Sequence, residues 1–306
     1  MPPKFNPQSF ESLISEQEVV QAGKFQGRLL KEYNQYIFPG QAWREPCSSA
    51  VADFLRPFCV EDRVSLDGVI KGLCEVSDGN PVRWVEMGGG RALPMRQLAN
   101  DTARSEHLVM TNVDLFDFGL EGLEPEELTY LERLSPGVTH ELIAPNFIQA
   151  DAETVVLPEP ADLITSVEAV QYLNNPLAAI SNWYNQLADN GLLLISAGHD
   201  WTSWIHYQRG SGDGDRDETP TKHFLEALEM AGISFAASNE SDWEGGFRPK
   251  LNPDSFRNLV IQKTPGTRLV VNAPLTDVWV NPYHFKATYY EKPGLDSRPV
   301  IEVVAA

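Results

Sequence analysis

The spacing of apolar residues changes near residue 80 and divides the chain into two kinds of sequence. Before that point, apolar side chains recur at helical spacing through residues 9–36 and again through residues 64–74. The turn-forming residues 78–81, Asp-Gly-Asn-Pro, end this pattern, and short apolar runs of strand length follow. The sequence therefore predicts a helical segment, residues 1–80, ahead of a domain built largely from strands.

Between residues 81 and 263, apolar runs alternate with amphipathic stretches, which is the pattern of strands joined by helices. This alternation predicts an α/β fold, a seven-stranded, doubly wound and mostly parallel sheet. The predicted strands are residues 83–87, 108–114, 147–151, 162–167, 192–197, 233–237 and 256–263. Residues 264–306 hold only short β-like runs and are expected to form a C-terminal extension. Residues 1–80 are expected to form a lid over the substrate.

The first predicted strand ends in three consecutive glycines, Gly88, Gly89 and Gly90. A strand that stops at glycines and turns into a helix leaves backbone N–H groups free and no side chains in the way. Pro94 suits the first turn of the helix that follows. We expect a ligand to bind at this corner.

The charge of the chain is strongly acidic, with 24 Lys and Arg against 43 Asp and Glu and a formal net charge of −19. Such a surface repels phosphate backbones and anionic lipids, so we expect no nucleic-acid or membrane partner. The N-terminus lacks a basic segment followed by an apolar run, and the 3 cysteines show no paired spacing. We therefore expect a cytoplasmic protein with reduced thiols and no bound metal, and the oligomeric state stays open.

Two classes of nucleotide site use a glycine corner after a strand. Dinucleotide-binding folds use G-x-G-x-x-G, whose third small residue lets the helix pack closely, and here that position is Leu93. Aligned as E-x-G-x-G-x-A, however, Glu86, Gly88, Gly90 and Ala92 resemble the first motif of class I S-adenosylmethionine-dependent methyltransferases.

Further motifs of that family are matched in order along the chain. The family places an acidic residue at the end of its second strand, where this chain has Asp114. Residues 150–158, ADAETVVLP, resemble the family pattern GDAExLP, and residues 189–196, DNGLLLIS, resemble PGGxLLIS. Residues 161–176 resemble the fourth strand and the turn after it. The resemblance implies a Rossmann-like fold, S-adenosylmethionine as cofactor and S-adenosylhomocysteine as product.

The resemblance also implies roles for the first two carboxylates. Glu86 is expected to accept hydrogen bonds from the cofactor's ammonium group, directly or through water, or else to orient the glycine loop. Asp114 is expected to accept both ribose hydroxyls, because an ionised carboxylate offers two oxygens in one plane. Asn112 and Asp117 are the alternatives for this ribose contact.

The adenine end of the cofactor is expected to lie after the third strand. Asp151 would accept from the adenine amino group, and the amide of Ala152 would donate to a ring nitrogen. Ser166 is expected to complete the cofactor site at the carboxyl end of the fourth strand, where open α/β sheets bind ligands.

Two histidines are candidates for a general base. Methyl transfer needs alignment of the reacting groups, exclusion of water and, for some nucleophiles, removal of a proton. His199 and His206 follow the fifth predicted strand, and imidazole titrates near neutral pH. We favour His199 because Asp200 is adjacent, and His284 is a further candidate if the C-terminal extension folds back over the site.

Aromatic and acidic side chains near the predicted site are candidates for a substrate pocket. The aromatic residues among them would equally suit the protein core. The candidates are Tyr33, Tyr36, Glu168, Tyr172, Trp201 and Trp204. They predict a small, partly aromatic or apolar acceptor, such as a specialised metabolite, methylated on oxygen, nitrogen or carbon. Two alternatives are other chemistry with the same cofactor, aminopropyl transfer or cyclisation, and a non-catalytic module that binds a basic protein.

Overall fold

A computed structural model of the chain describes residues 59–60, 63–64, 66–90, 92, 95, 98, 105–115, 146–167, 169–170, 173, 176–196, 225, 228–238, 258–272 and 300–305. Its two continuous helices are α1 (Leu66–Val76) and α2 (Pro176–Asn185). Its strands are β1 (Cys59–Val60), β2 (Arg63–Val64), β3 (Val82–Met87), β4 (Leu108–Asp114), β5 (Asn146–Gln149), β6 (Ala161–Val167), β7 (Leu187–Ser196), β8 (Phe235–Ser238), β9 (Asn258–Gln262), β10 (Thr267–Asn272) and β11 (Val300–Ala305). Within the described ranges, no helix has the length and apolar character needed to cross a membrane.

Seven of the described strands form one sheet in the order β5-β4-β3-β6-β7-β9-β8. The five strands from β5 to β7 run parallel, whereas β9 lies antiparallel to both β7 and β8. The predicted doubly wound, mostly parallel sheet is confirmed. Because β4 and β6 both flank β3, the winding direction changes at β3. A crevice forms at the carboxyl ends of the strands beside such a change, and this is where α/β sheets bind ligands.

The apolar side chains of the sheet alternate between two faces, as the two-residue period of a strand requires. Along β7, Leu192 and Leu194 belong to the core cluster on the face of α1, whereas Leu193 and Ile195 belong to the cluster on the face of α2. These four side chains are at most 1% exposed. Full burial of each such side chain contributes about 1.5–3 kcal/mol, so both faces stabilise the central strands.

Helix α1 packs directly on the sheet, although the sequence places these residues in the N-terminal segment. Its apolar residues Leu66, Val69, Ile70 and Leu73 recur at helical spacing and share one core cluster with Trp84 of β3. The core of the sheet domain therefore begins before residue 81.

The predicted strand boundaries hold to within a few residues, with one larger difference. Strand β7 begins at Leu187 rather than at residue 192, because residues 189–191, Asp-Asn-Gly, lie in an irregularity inside the strand although such residues favour a turn. Asn190 has a φ of 64°, and Gly191 lies so close to the carbonyl of Ala161 that an added Cβ would approach it to 3.0 Å. Pairing with β6 is thus interrupted after Leu187 and resumes at Leu192.

The C-terminal strands form a separate antiparallel pair. Strand β10 pairs with β11 from Thr267–Ala305 to Asn272–Val300. The side chain of Asn185, at the end of α2, donates to the carbonyl of Leu269 and accepts from its N–H, both at 2.8 Å. Ser181 donates to the same carbonyl at 2.8 Å. The pair is therefore held against α2.

Candidate functional site

Three polar side chains form a row across the centre of the sheet, near the carboxyl ends of its strands. Glu86 of β3 is paired in register with Asn112 of β4 on one side and with Thr165 of β6 on the other. All three are at most 2% exposed. Buried polar groups in a sheet core need hydrogen-bond partners, so the contacts of this row define the local geometry.

Glu86 is held by a chain of hydrogen bonds from the neighbouring strands. The indole N–H of Trp84 donates to the hydroxyl of Thr165 at 2.8 Å, and that hydroxyl donates to Oε2 of Glu86. The backbone N–H of Val167 donates to Oε1 of Glu86 at 3.3 Å. The carboxylate is therefore oriented from the β6 side, directly below the glycine corner.

The glycines at the corner are required by close contacts inside the protein. Gly88 has a φ of 72°, and a Cβ there would lie 2.5 Å from the Cβ of Ala169. A Cβ on Gly89 would overlap the side chains of Asn112 and Glu86. The loop also holds Ala92 at a φ of 51°, a left-handed conformation that costs a non-glycine residue roughly 1–2 kcal/mol.

The expectation of free N–H groups at the corner is wrong. The N–H of Gly88 donates to the carbonyl of Val113 at 2.8 Å, and that of Gly89 donates to the same carbonyl at 3.4 Å. The N–H of Gly90 donates to Oδ2 of Asp114 at 2.8 Å. A pyrophosphate needs such donors to point at the ligand, so these three groups do not form a dinucleotide site.

Both peptide groups that flank Gly90 are held by side chains of β4. Oδ2 of Asp114 accepts from the Gly90 N–H, and Nδ2 of Asn112 donates to the Gly90 carbonyl at 2.9 Å. Residues two apart on a strand share a face, which brings Asn112 and Asp114 to the same side of the sheet. Gly90 itself has a φ of 51°. The end of β4 therefore determines the path of the loop after β3.

Helix α2 braces the segment that follows β5. Asp151 accepts from the N–H of Glu153 at 2.9 Å through its own Oδ1, which closes a tight turn. The indole N–H of Trp183 donates to the carbonyl of Ala152 at 2.7 Å, and Asn182 donates to the carbonyl of Glu153 at 3.1 Å. The N–H of Ala150 donates to the carbonyl of Asp114 at 2.9 Å. The turn with Asp151 and Ala152 is thus tied to the end of β4.

Ser166 is the second-last residue of β6, at the carboxyl end of the strand. Its side chain is fully buried, and its hydroxyl donates to the carbonyl of Met87 at 3.1 Å. This contact links β6 to the last residue of β3, immediately before Gly88. Ser166 therefore supports the corner from beneath.

The remaining predicted site residues lie outside the described part of the chain. This applies to both candidate bases, to every candidate for the substrate pocket, and to the alternatives at positions 117 and 284. The residues in question are His199, His206, Glu168, Tyr172, Trp201, Trp204, Tyr33, Tyr36, Asp117 and His284. In the described ranges, no group of three or more His, Cys, Asp or Glu side chains is arranged to hold a metal ion.

Thr165 and Trp84 were not predicted as site residues. Thr165 is a polar residue between the apolar Ile164 and the polar Ser166 in a central strand, and two consecutive polar residues at this depth are a signal that the sequence contains. Its partner cannot be inferred without the register of β3 against β6. The sequence does not mark Trp84 as a site residue in the same way, because a tryptophan in a central strand is expected to be an ordinary core residue.

The geometry suits S-adenosylmethionine better than an anionic ligand. Two buried carboxylates, Glu86 and Asp114, end neighbouring strands beside the glycine corner, and the N–H groups of that corner are already donated. A sulfonium and an ammonium group are attracted by carboxylates, and ribose hydroxyls donate to them. The residues present therefore fit a cationic nucleoside.

Comparison with known proteins gives a family for the central part of the chain. Residues 85–195 match a family model described as a methyltransferase domain. No curated protein matches the chain.

Similar solved structures include the N-methyltransferase NodS from Bradyrhizobium japonicum WM9, with 15% identity over 65% of this chain and 96% of that chain and a TM-score of 0.34. Another is magnesium protoporphyrin IX methyltransferase (ChlM) from Synechocystis PCC 6803 with bound SAH, with 14% identity over 72% of this chain and 98% of that chain and a TM-score of 0.37.

The family match begins in β3, the first strand of the sheet along the chain, and ends in β7, the fifth. It spans the glycine corner, both strand-end carboxylates and the turn after β5. Residues 85–195 therefore form a methyltransferase domain, and the strand-end carboxylates beside the glycine corner fit S-adenosylmethionine as its cofactor.

Proposed function

We propose that the protein transfers a methyl group to an oxygen, nitrogen or carbon atom of a small, partly aromatic or apolar molecule, such as a specialised metabolite. The observation that carries the cofactor half of this proposal is the pairing of Gly90 with Asp114 at 2.8 Å beside the buried Glu86. It joins the glycine corner to a carboxylate at the end of the next strand. The acceptor half rests on the aromatic residues near the predicted site, Tyr33, Tyr36, Tyr172, Trp201 and Trp204.

Glu86 and Asp114 are assigned to opposite ends of the methionine and ribose part of the cofactor. Glu86 takes the ammonium group while its hydrogen bonds from Thr165 and Val167 hold its orientation. A carboxylate offers two oxygens as acceptors, and here both are oriented from the β6 side. Asp114 takes the ribose hydroxyls while one of its oxygens retains the N–H of Gly90.

The turn after β5 is assigned to adenine. Asp151 accepts from the adenine amino group, and the N–H of Ala152 donates to a ring nitrogen. The hydrogen bond from Trp183 to the carbonyl of Ala152 fixes the next peptide group, between Ala152 and Glu153, before the cofactor binds, which lowers the cost of ordering the turn. Ser166 supports the same site through the carbonyl of Met87.

S-adenosylmethionine supplies a methyl group on a sulfonium, which a nucleophile attacks in line. The nucleophile–carbon bond forms as the carbon–sulfur bond breaks, and S-adenosylhomocysteine leaves with the electron pair. The protein aligns the two partners and excludes water. His199 or His206 accepts the proton of an oxygen or nitrogen nucleophile, and Glu168 contributes to the substrate pocket.

The test begins with cofactor binding to the purified chain, measured by calorimetry with S-adenosylhomocysteine. We expect binding by the wild type and none by Gly90→Arg, whose side chain would fill the corner. Asn80→Arg, on an exposed turn, is the matched control and should bind normally. Binding that survives Gly90→Arg would refute the site.

The reaction itself is tested by mass spectrometry of products from a library of small aromatic and apolar acceptors. We expect a mass increase of one methylene unit together with one S-adenosylhomocysteine for each product. Methylthioadenosine in place of S-adenosylhomocysteine would refute methyl transfer and indicate aminopropyl transfer or cyclisation. His199→Gln and His206→Gln, assayed on the acceptor so found, identify the base by the loss of kcat at unchanged cofactor affinity.

A further inference from the structure

Asn112 occupies a position in the sheet core that an apolar residue would fill at lower cost. It is 1% exposed, in a central strand between β3 and β5. Its Oδ1 is buried and has no hydrogen-bond partner among the residues that the structure describes. A buried acceptor without a partner destabilises the folded state. The favourable contact of the Asn112 side chain is therefore made by Nδ2, which donates to the carbonyl of Gly90.

The contact from Asn112 acts on a strained part of the loop. Nδ2 lies 2.9 Å from the carbonyl oxygen of Gly90, and Oδ1 fits against Gly89 only because that residue has no Cβ. Gly90 and Ala92 both have a φ of 51°, so the chain takes two left-handed residues within this short stretch. Without a donor on the Gly90 carbonyl, the peptide after Gly90 would be free to rotate toward other conformations.

The orientation of Gly90 affects the direction in which the Asp114 carboxylate points. The N–H of Gly90 lies 2.8 Å from Oδ2 of Asp114, on the same face of β4 as Asn112. The two side chains hold opposite sides of one glycine. Loss of the contact to the carbonyl therefore weakens the contact to the N–H, which is one of the contacts that orient the Asp114 carboxylate.

We infer that Asn112 is a positioning residue for ribose recognition, acting on the Asp114 carboxylate through the two peptide groups that flank Gly90. This inference rests on the proposed role of Asp114 as the acceptor for the ribose hydroxyls. Asn112 contacts the loop at Gly90, and on this inference its effect reaches the cofactor through Gly90 and Asp114.

The test compares the affinities of two ligands, with and without the ribose 2′-hydroxyl, in the wild type and in an Asn112 variant. The dissociation constants of S-adenosylhomocysteine and of its 2′-deoxy analogue are measured by calorimetry for the wild type and for Asn112→Leu. A charged hydrogen bond is worth about 10–100-fold in affinity, so the wild type should bind the 2′-deoxy analogue more weakly by that factor. In Asn112→Leu the ratio of the two constants should fall close to one.

Ser181→Ala is the matched control for a general loss of stability. Ser181 is also buried and also donates to a backbone carbonyl, that of Leu269, but it lies at the interface of α2 and β10. It should lose stability and keep the wild-type ratio. If Asn112→Leu does not fold, Asn112→Ala removes the same donor without adding a methyl group near Gly89.

The possible outcomes distinguish the role of Asp114 in ribose binding from the role of Asn112 in positioning it. A wild-type ratio near one would show that Asp114 does not bind the ribose, which overturns the proposed role and this inference together. A large wild-type ratio that persists unchanged in the Asn112 variant would overturn this inference alone. A large wild-type ratio that collapses in the Asn112 variant and not in Ser181→Ala supports it.

Discussion

The indole N–H of Trp84 donates to the hydroxyl of Thr165 at 2.8 Å, across the boundary between β3 and β6. Both side chains are fully buried, and the same hydroxyl donates onward to Glu86. One hydroxyl therefore accepts from the buried indole and donates to the buried carboxylate. The orientation of Glu86 depends on a residue that does not itself lie at the glycine corner.

Thr165→Val tests this dependence, because valine has the shape of threonine without the hydroxyl. Each buried group left without a partner costs about 1–3 kcal/mol, so the urea midpoint of unfolding should fall clearly. The affinity for S-adenosylhomocysteine should also fall, since Glu86 loses its orientation. Thr154→Val, at an exposed position, is the control and should change neither quantity. An unchanged midpoint for Thr165→Val would contradict the network.

The stability losses of Gly88→Ala and Gly232→Ala should differ, because the first variant suffers both crowding and backbone strain and the second suffers strain alone. The two glycines have φ values of 72° and 69°, but only Gly88 faces a neighbour, the Cβ of Ala169 at 2.5 Å from an added Cβ. Left-handed strain costs alanine about 1–2 kcal/mol at either site, and overpacking adds about 1–3 kcal/mol at Gly88 alone.

The double variant Gly88→Ala with Ala169→Gly checks the cause, because it removes the atom with which the new methyl group collides. Stability measured by urea unfolding should recover by most of the difference between the two single alanine variants. The affinity for S-adenosylhomocysteine should fall in Gly88→Ala and stay unchanged in Gly232→Ala. No recovery in the double variant would show that the crowding is not with Ala169.

The sheet could be predicted from the sequence because its strands are apolar runs whose residues alternate between two buried faces. Residues 108–114 were predicted with the bounds that β4 has, and Glu86 and Asp114 were predicted at the strand ends. The hydrogen bonds at the corner could not be predicted. Whether the N–H of Gly88 is free depends on the carbonyl of Val113, which reaches it only through the register of β3 against β4.

Contacts between segments far apart in the chain could not be predicted from the sequence either, because they depend on how the strands and helices pack. The sequence predicts short β-like runs after residue 263, but β10 pairs with β11 between residues that are 28 (Asn272 and Val300) to 38 (Thr267 and Ala305) positions apart. Asn185 reads as an ordinary helix-end residue, and only the fold reveals that it pairs with the backbone of Leu269.

The buried ammonium group of Lys263 should make the free energy of unfolding depend on pH in the alkaline range. Its ammonium group donates to the carbonyl of Leu187 at 2.7 Å and to that of Asn185 at 3.2 Å. Burial lowers the pKa of Lys263 from 10.5, Asp189 opposes this shift and Arg268 adds to it. Between the lowered pKa and 10.5 the unfolded chain binds more protons than the folded chain, so the contribution of Lys263 to stability rises with pH in that window.

Lys263→Met should be less stable than the wild type by about 1–3 kcal/mol, because the buried carbonyl of Leu187 and the partly buried carbonyl of Asn185 lose a donor. The difference in the free energy of unfolding between the two proteins should grow as the pH rises toward 10.5. Urea unfolding at a series of alkaline pH values measures it. Lys71→Met removes an exposed lysine and should show no such growth. A difference that shrinks with rising pH would reverse the sign of the effect and refute the assignment.

Asn185→Leu should release the C-terminal strands from the sheet domain. The amide of Asn185 donates to and accepts from the backbone of Leu269, as a neighbouring strand would, and leucine offers neither group. Amide hydrogen exchange in Thr267–Asn272 and Val300–Ala305 should accelerate, while the exchange of β6 and β7 stays slow, because those strands do not depend on this contact. Asn80→Leu, in an exposed turn, is the matched control. Equal protection of β10 in both variants would mean that Ser181 and the apolar contacts of Leu269 suffice to hold the pair. Faster exchange in β7 as well would mean that the pair and the sheet open as one cooperative unit.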